Sequence, residues 1–236
     1  MPYGQLSAES QSPAVETFLL GQIPYLRCLE FQQRLLEQVS RRDDGQVIVL
    51  MCEHPEIITI GRGGRPSQII GSGRALRARQ IETHWTNRGG GCLVHCPGQL
   101  AIYPILPLRW HGFTLGEYLG RFQAALAETL SELGVQIQPR PVRYGVWGRT
   151  GQIAALGVAV RDWVTWQGAY LNVSPALGLF RLVQSDPLDP TPMGSIAAER
   201  CGVVRMATVR AVLVRHLTEA FGCDRYHLYT GHPWLT

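Results

Sequence analysis

The chain has 236 residues, 45% of them hydrophobic and 17% charged, with a net charge of +4. That length and composition suit one large globular domain or two small ones with an ample core. The longest unbroken apolar run, Val47 to Cys52, is six residues, far short of a membrane span, so no membrane insertion is expected. The first twenty residues lack a basic start followed by a long apolar stretch, so no export signal is read and a cytoplasmic location is expected.

In chain order, residues 4–13 (GQLSAESQSP) read as part of a disordered tail covering 1–14, ahead of a domain expected over 15–222. Val15 to Leu20 reads as a strand. Pro24 opens a helix to about Arg42, with Leu26, Leu29, Leu35, Leu36 and Val39 on one broad face. QVIVLMCE is a buried strand, and IITIGRGG is a strand entering a glycine-rich turn. Residues 63–80, rich in Gly, Arg and Ser, read as a long loop. Thr114 to Leu133 carries Leu115, Leu119, Phe122, Leu126, Leu130 and Leu133 at helical spacing, and Gly134 ends that helix. From Val135 to Val173 the pattern changes to strands, VQIQ, YGVWG, QIAALGVAV and WVTWQGAYLNV, with breaks that suggest antiparallel pairing. SDPLDPTPMG is a proline-rich loop. Met206 to Phe221 is a last helix with Met206, Val209, Leu213, Leu217 and Phe221 inward, and 223–236 follows as a C-terminal extension. The pattern predicts an α+β sheet domain with helices packed mainly on one face.

All 22 basic residues are arginine, and the chain contains no lysine. They are spread along the sequence, so a nucleic-acid-binding face is not expected. Arg65, Arg74, Arg77 and Arg79 form a local patch, either a solvated loop or a docking surface for an acidic partner. Six cysteines, at 28, 52, 92, 96, 201 and 223, are expected to be reduced thiols. Cys92 and Cys96 bracket His95, but no further ligand group is evident beside them, so no metal is expected there.

The stretch RGGGCLVHCPGQLAIYPI (88–105) raises the question of function. Its glycines are either a tight structural turn or a place where backbone N–H groups approach a ligand and stabilise a developing oxyanion. Taken with HPEIITIGR (54–62), GQIAALGVAVRDWVTWQGAYLNV (151–173) and GSIAAE (194–199), it resembles, in order and spacing, the octanoyltransferase family. These proteins are also called lipoate-protein ligase B and belong to the biotin/lipoate ligase superfamily. The resemblance covers roughly residues 15–222. It implies a single α+β domain with a mixed or antiparallel sheet of the biotin/lipoate ligase kind. It implies transfer of an octanoyl group from acyl carrier protein to a lysine of lipoyl domains, those of 2-oxoacid dehydrogenases or the glycine cleavage H protein. No metal and no nucleotide cofactor are implied. Carried over residue by residue, the acyl-contacting positions are Arg88, Gly89, Gly90, Gly91, Cys92, Leu93, Val94 and His95. They continue with Ala155, Leu156 and Gly157, then Gly168, Ala169 and Tyr170.

The resemblance breaks at the chemistry. The family carries the acyl group on a cysteine as a thioester, and a lysine lowers that cysteine's pKa. The lysine of the family's GKIA motif is Gln152 here, and a neutral amide cannot stabilise a thiolate as a cation does. A family histidine is replaced by Gln167. Counting without gaps from Phe180 puts Asp186 at the position of the nucleophile; a gapped alignment puts Met193 there. A thioether has no proton to lose, and an aspartyl anhydride hydrolyses readily. Cys96, beside His95, is either a substitute thiol or a small buried residue, and Cys201 is a weaker candidate. Biotin ligases and ATP-dependent lipoate ligases also rely on a lysine, which this chain lacks. Two functions follow: a divergent acyltransferase, or a pseudoenzyme that binds acyl chains, carrier protein or lipoyl domains.

Overall fold

A computed structural model describes residues 13–140, 144–186, 189 and 191–235. Residues 1–12 of the expected tail, and three positions of the proline-rich loop, lie outside the described residues. The chain runs through β1 (Ala14–Gln22), α1 (Tyr25–Ser40), β2 (Val47–Glu53) and β3 (Ile57–Ile60), then α2 (Gly73–Ala78), β4 (Glu82–Trp85), β5 (Cys92–His95) and β6 (Gln99–Ile105). It continues through α3 (Leu115–Glu132), β7 (Gly145–Gly148), β8 (Gly151–Arg161), β9 (Val164–Asn172), α4 (Ile196–Arg200), α5 (Met206–Ala220) and β10 (Arg225–Thr230).

Seven strands form one sheet in the order β10-β1-β2-β6-β9-β8-β7, and β4-β3-β5 form a second. β1 pairs in parallel with both β10 and β2, while β2–β6, β6–β9, β9–β8 and β8–β7 are antiparallel. The large sheet is therefore mixed, and its late strands pair antiparallel as their turn signals suggest.

Helices cover both faces of this sheet, which corrects the one-face expectation. The reason is the period of two along a strand. In β2, Val47, Val49 and Met51 join the cluster packed under α3 and α5, whereas Ile48, Leu50 and Cys52 join the cluster under α1. A strand buried on both sides reads as an unbroken apolar run, as QVIVLMCE does. In α1 the inward stripe is Cys28, Phe31, Leu35, Leu36 and Val39; Leu26 falls off it and is 40% exposed. In α3 a capping box closes the N-terminus: Thr114 accepts from the Glu117 N–H, and Glu117 accepts from the Thr114 N–H. Leu115 at its start is exposed rather than inward.

Three further differences from the sequence reading matter. Residues 63–80 are not a plain loop: a 3₁₀ turn at Pro66–Gln68 and α2, capped by Ser72, lie inside it. VQIQ makes only one bridge, Gln138 to Trp147, and is not a strand. The segment after 222 supplies β10, the sheet's outer strand, whose residues are exposed along its length. No helix among the described residues is long and apolar enough to cross a membrane.

Candidate active site

Two glycine-rich segments zip together backbone to backbone. The N–H groups of Gly61, Arg62 and Gly63 donate to the carbonyls of Gly91, Arg88 and Gly90 at 3.0–3.1 Å. A Cβ on Gly61 would stand 2.5 Å from the Gly90 oxygen, so only glycine allows this approach. The same loop leans on β8: the Gly89 N–H donates to the Val158 carbonyl at 3.0 Å, and a Cβ on Gly157 would meet the Gly89 oxygen at 2.7 Å. The Gly89 donor is thus committed to the fold and is not available to an oxyanion.

Beside this junction lies a cavity of about 950 Å³. Leu93, Trp147, Ala155, Leu156, Phe180 and Val183 give it apolar walls, and Gly90, Gly91 and Arg88 line the loop side. Gln152, Asp186 and Met193 all open onto it, together with Gln68, Gln184 and Ser185. Met193 bridges Gln152 in parallel, with the Gln152 N–H donating to the Pro192 carbonyl and the Gly194 N–H donating back to Gln152, each at 2.9 Å. Both candidate nucleophile positions and the lysine position therefore meet at one cavity. The pairing of distant blocks through β8 and the 177–193 segment brings them there, not their order in the chain.

Arg88 is fully buried. Its guanidinium donates to the Thr59 carbonyl and hydroxyl at 2.9 and 2.7 Å and to the Gly89 carbonyl at 3.0 Å, so most of its donors clamp the loop to β3. Because Arg88 donates to the Thr59 hydroxyl, that hydroxyl donates onward to His95 Nε2 at 2.8 Å, while His95 Nδ1–H donates to Gln99 Oε1 at 2.9 Å. Gln99 continues to Asn172, and Asn172 to the Gly194 carbonyl, both at 3.0 Å. A buried hydrogen-bond chain thus joins the glycine-rich loop to the loop that carries Met193. Burial, with the neighbouring His54 and Arg88, holds His95 well below the usual imidazole range, so it stays neutral.

Several sequence candidates do not reach the cavity. His95 and Cys96 are adjacent on an extended segment, so their side chains point to opposite faces. The His95 ring faces Tyr170, while Cys96 packs with Ile58, Ile60 and Val94. Burial pushes the Cys96 thiol up to about 12, with Glu56 adding to it; it is no activated nucleophile. Cys92 faces the Arg65 carbonyl at 3.4 Å, and burial raises its pKa too. Val94 lies in the same buried cluster as Cys96. Gly168 backs onto the Ile102 carbonyl, Ala169 packs under α3, and Tyr170 lies on the α1 side; none of the three lines the cavity. Gln167, with φ of +57°, bonds Tyr25 and Thr86 at 3.0 Å in the core. Cys201 is exposed and sits at the end of α4. The residues that sequence reasoning missed are Trp147, Phe180, Val183, Gln68 and Gln184. Apart from Phe180, the landmark of the alignment, their sequence signal is only apolar or amide character.

Of the arginine patch, Arg79 is held by Glu56 at 2.6 and 2.9 Å. Arg65, Arg74 and Arg77 remain exposed on the 62–79 segment, which lends Gly63, Gln68 and Ile70 to the cavity.

Comparison with solved structures places this mixed sheet, with its glycine-rich loops and cavity, in the lipoate ligase fold class. It superposes on a bi-partite lipoate protein ligase from Thermoplasma acidophilum with a TM-score of 0.72 at 16% identity, covering 94% of this chain and 88% of that one. It superposes on a lipoate-protein ligase A bound with ATP with a TM-score of 0.73 at 15% identity, covering 94% and 90%. At these identities the likeness speaks for the fold. The model of the lipoyl protein ligase A/B catalytic domain family matches residues 24–218. An octanoyltransferase of Synechococcus sp. (strain JA-2-3B'a(2-13)) is 33% identical over 240 residues, 96% of this chain and 91% of the relative. One of Gloeobacter violaceus is 35% identical over 203 residues, 86% and 88%. The chain belongs to the lipoyl protein ligase A/B catalytic domain family, on its octanoyltransferase side.

Proposed function

We propose that this chain acts in protein lipoylation by seating the octanoyl group of an acyl carrier protein thioester in the cavity. The thioester is then positioned for direct attack by a lysine of a lipoyl domain, with no acyl-enzyme intermediate. The observation that carries this reading is the cavity itself: apolar walls for a chain, reaching polar groups at Gln152 and Asp186 where the family's chemistry stands. Burial of each methylene contributes about 0.8 kcal/mol, so an eight-carbon chain is held firmly. In the transfer, the acceptor amine forms the amide bond, the carbon–sulfur bond breaks, and the amine proton leaves with the carrier thiol. Holding the two reactants together contributes the rate, since proximity alone is worth several kcal/mol. The exposed Arg65, Arg74 and Arg77 beside the cavity suit the acidic surface of a carrier protein.

A second reading, acyl binding without turnover, is favoured by one specific observation. No cysteine lines the cavity among the described residues, and no lysine exists in the chain. A single experiment separates the two. The chain is mixed with octanoyl-carrier protein and an apo lipoyl domain, and all masses are followed in time. Octanoyl on the lipoyl domain above a no-protein control, with no adduct on this chain, is the expected result. Saturable binding without transfer supports the second reading. An octanoyl adduct on this chain that vanishes in Cys96→Ala overturns both.

A further inference from the structure

No metal is expected at Cys92, His95 and Cys96 from the sequence, but three other residues converge in the fold. Cys28 on α1 and Cys52 and His54 on and just after β2 bring their Sγ, Sγ and Nε2 atoms within 4.8 Å of one another, all buried. Cys28 Sγ and Cys52 Sγ are 3.9 Å apart, and Cys52 Sγ and His54 Nε2 are 3.6 Å apart. Tetrahedral zinc, with Zn–S of about 2.3 Å and Zn–N of about 2.0–2.1 Å, has ligand–ligand edges of about 3.8 Å and about 3.6 Å. Two edges are thus already set, and the third, Cys28 to His54, is the one that closes on loading.

The surroundings are those of metal ligands. His54 Nδ1 lies 2.7 Å from the Ile23 carbonyl, which can only accept, so Nδ1 carries the proton and Nε2 is the acceptor nitrogen, facing Cys52 and Tyr103. A ligating histidine is held this way by a carbonyl on its other nitrogen. Gln32 Nε2 donates toward Cys28 Sγ at 3.7 Å, a contact that favours the thiolate. Tyr103 Oη donates its hydrogen to His54 Nε2 at 2.7 Å; on loading, the metal takes that place on Nε2 and the Tyr103 oxygen turns to it as the fourth ligand. None of these residues lines the acyl cavity.

We propose that Cys28, Cys52 and His54 form a buried structural zinc site that ties α1 to the central sheet. Charge decides the ion. Both thiols lose their protons to solvent as Zn²⁺ enters, while the imidazole is already neutral, so the loaded cluster carries no net charge. That neutrality makes a fully buried site tolerable. Loading accompanies folding, because the ligands have no path to solvent afterwards.

The test uses the full chain, expressed with zinc, then unfolded with chelator and refolded with or without Zn²⁺ or Co²⁺. The expected results are one zinc per chain, a higher melting temperature with zinc, and the intense thiolate-to-cobalt bands of a tetrahedral site. Cys52→Ser is expected to lower zinc affinity by more than about 100-fold, while Cys201→Ala, an exposed thiol, leaves the cobalt spectrum unchanged. Should Cys52→Ser fail to fold, the wild-type cobalt spectrum alone decides. Failure of the refolded wild type to retain zinc, a weak octahedral cobalt spectrum, or thiolate bands undiminished in Cys52→Ser would overturn the proposal.

Discussion

Gln152, Asp186 and Met193 stand where the resemblance sets the lysine and the cysteine of the octanoyltransferases. All three line one cavity, and on the proposed reading it is side-chain identity, not placement, that withholds the thioester route. Restoring the chemistry therefore needs no change of fold. Gln152→Lys combined with Asp186→Cys is expected to give a chain that gains one octanoyl group when incubated with octanoyl-carrier protein, read by intact mass. Gln152→Lys with Met193→Cys is the comparison, and the pair that acylates identifies which alignment reflects the ancestral site. If neither acylates, side-chain identity at these positions is not what withholds the thioester route. At this scale the sequence was legible for the losses and misleading for the replacement. His95 beside Cys96 reads as a reactive pair, but strand alternation turns one toward Tyr170 and the other into a separate apolar cluster.

Among the elements, the junction of the 61–64 and 88–91 segments with the 177–193 segment decides whether a cavity exists. A Cβ on Gly91 would stand 2.2 Å from the Ser185 carbonyl oxygen, a backbone atom that only a shift of its loop can clear. Gly91→Ala is expected to cost about 1–3 kcal/mol in chemical denaturation and to weaken octanoyl-carrier binding as the 185 loop is pushed outward. Unchanged stability and binding would show that this loop moves freely. The glycines were legible as glycines that matter; their partners were not. Gly91 and Ser185 lie 94 positions apart in the chain, and no local pattern couples them.

Across the whole molecule, two features tie the periphery to the core. Glu199 of α4 has a side chain only 1% exposed and accepts from the Thr150 N–H and from Arg149, joining α4 to the β7–β8 turn. Burial alone would raise its pKa, but these hydrogen bonds outweigh burial and lower it. A depressed folded-state carboxyl gives stability that is complete above the unfolded value, about 4.3, and lost as pH falls through the folded value. The melting temperature is therefore expected to drop through the acid range, and Glu199→Gln to be less stable at neutral pH with a flatter acid limb. An unaltered acid limb in the variant would remove Glu199 from this role. At the far edge of the sheet, Phe18 meets the Tyr229 ring at 5.0 Å and the His232 ring at 4.6 Å. Deleting the chain from Arg225 onward uncovers Phe18 and the β1 edge. It is expected to lower the melting temperature and cause concentration-dependent aggregation by light scattering.

Sequence alone determined the family blocks, the α+β class, the positions of α1, α3 and α5, and the absence of a lysine. Each of these is carried by residue identity or by a local period of two or 3.6. The tertiary structure decided that helices cover both faces of the sheet, that 225–230 closes its edge, and that Cys96 is outside the cavity. It also brought Trp147, Phe180 and Val183 into that cavity, and Cys28, Cys52 and His54 into contact. These are pairings between segments far apart in the chain, set by strand order and by which face of a strand meets which neighbour. A one-dimensional pattern holds no information on either.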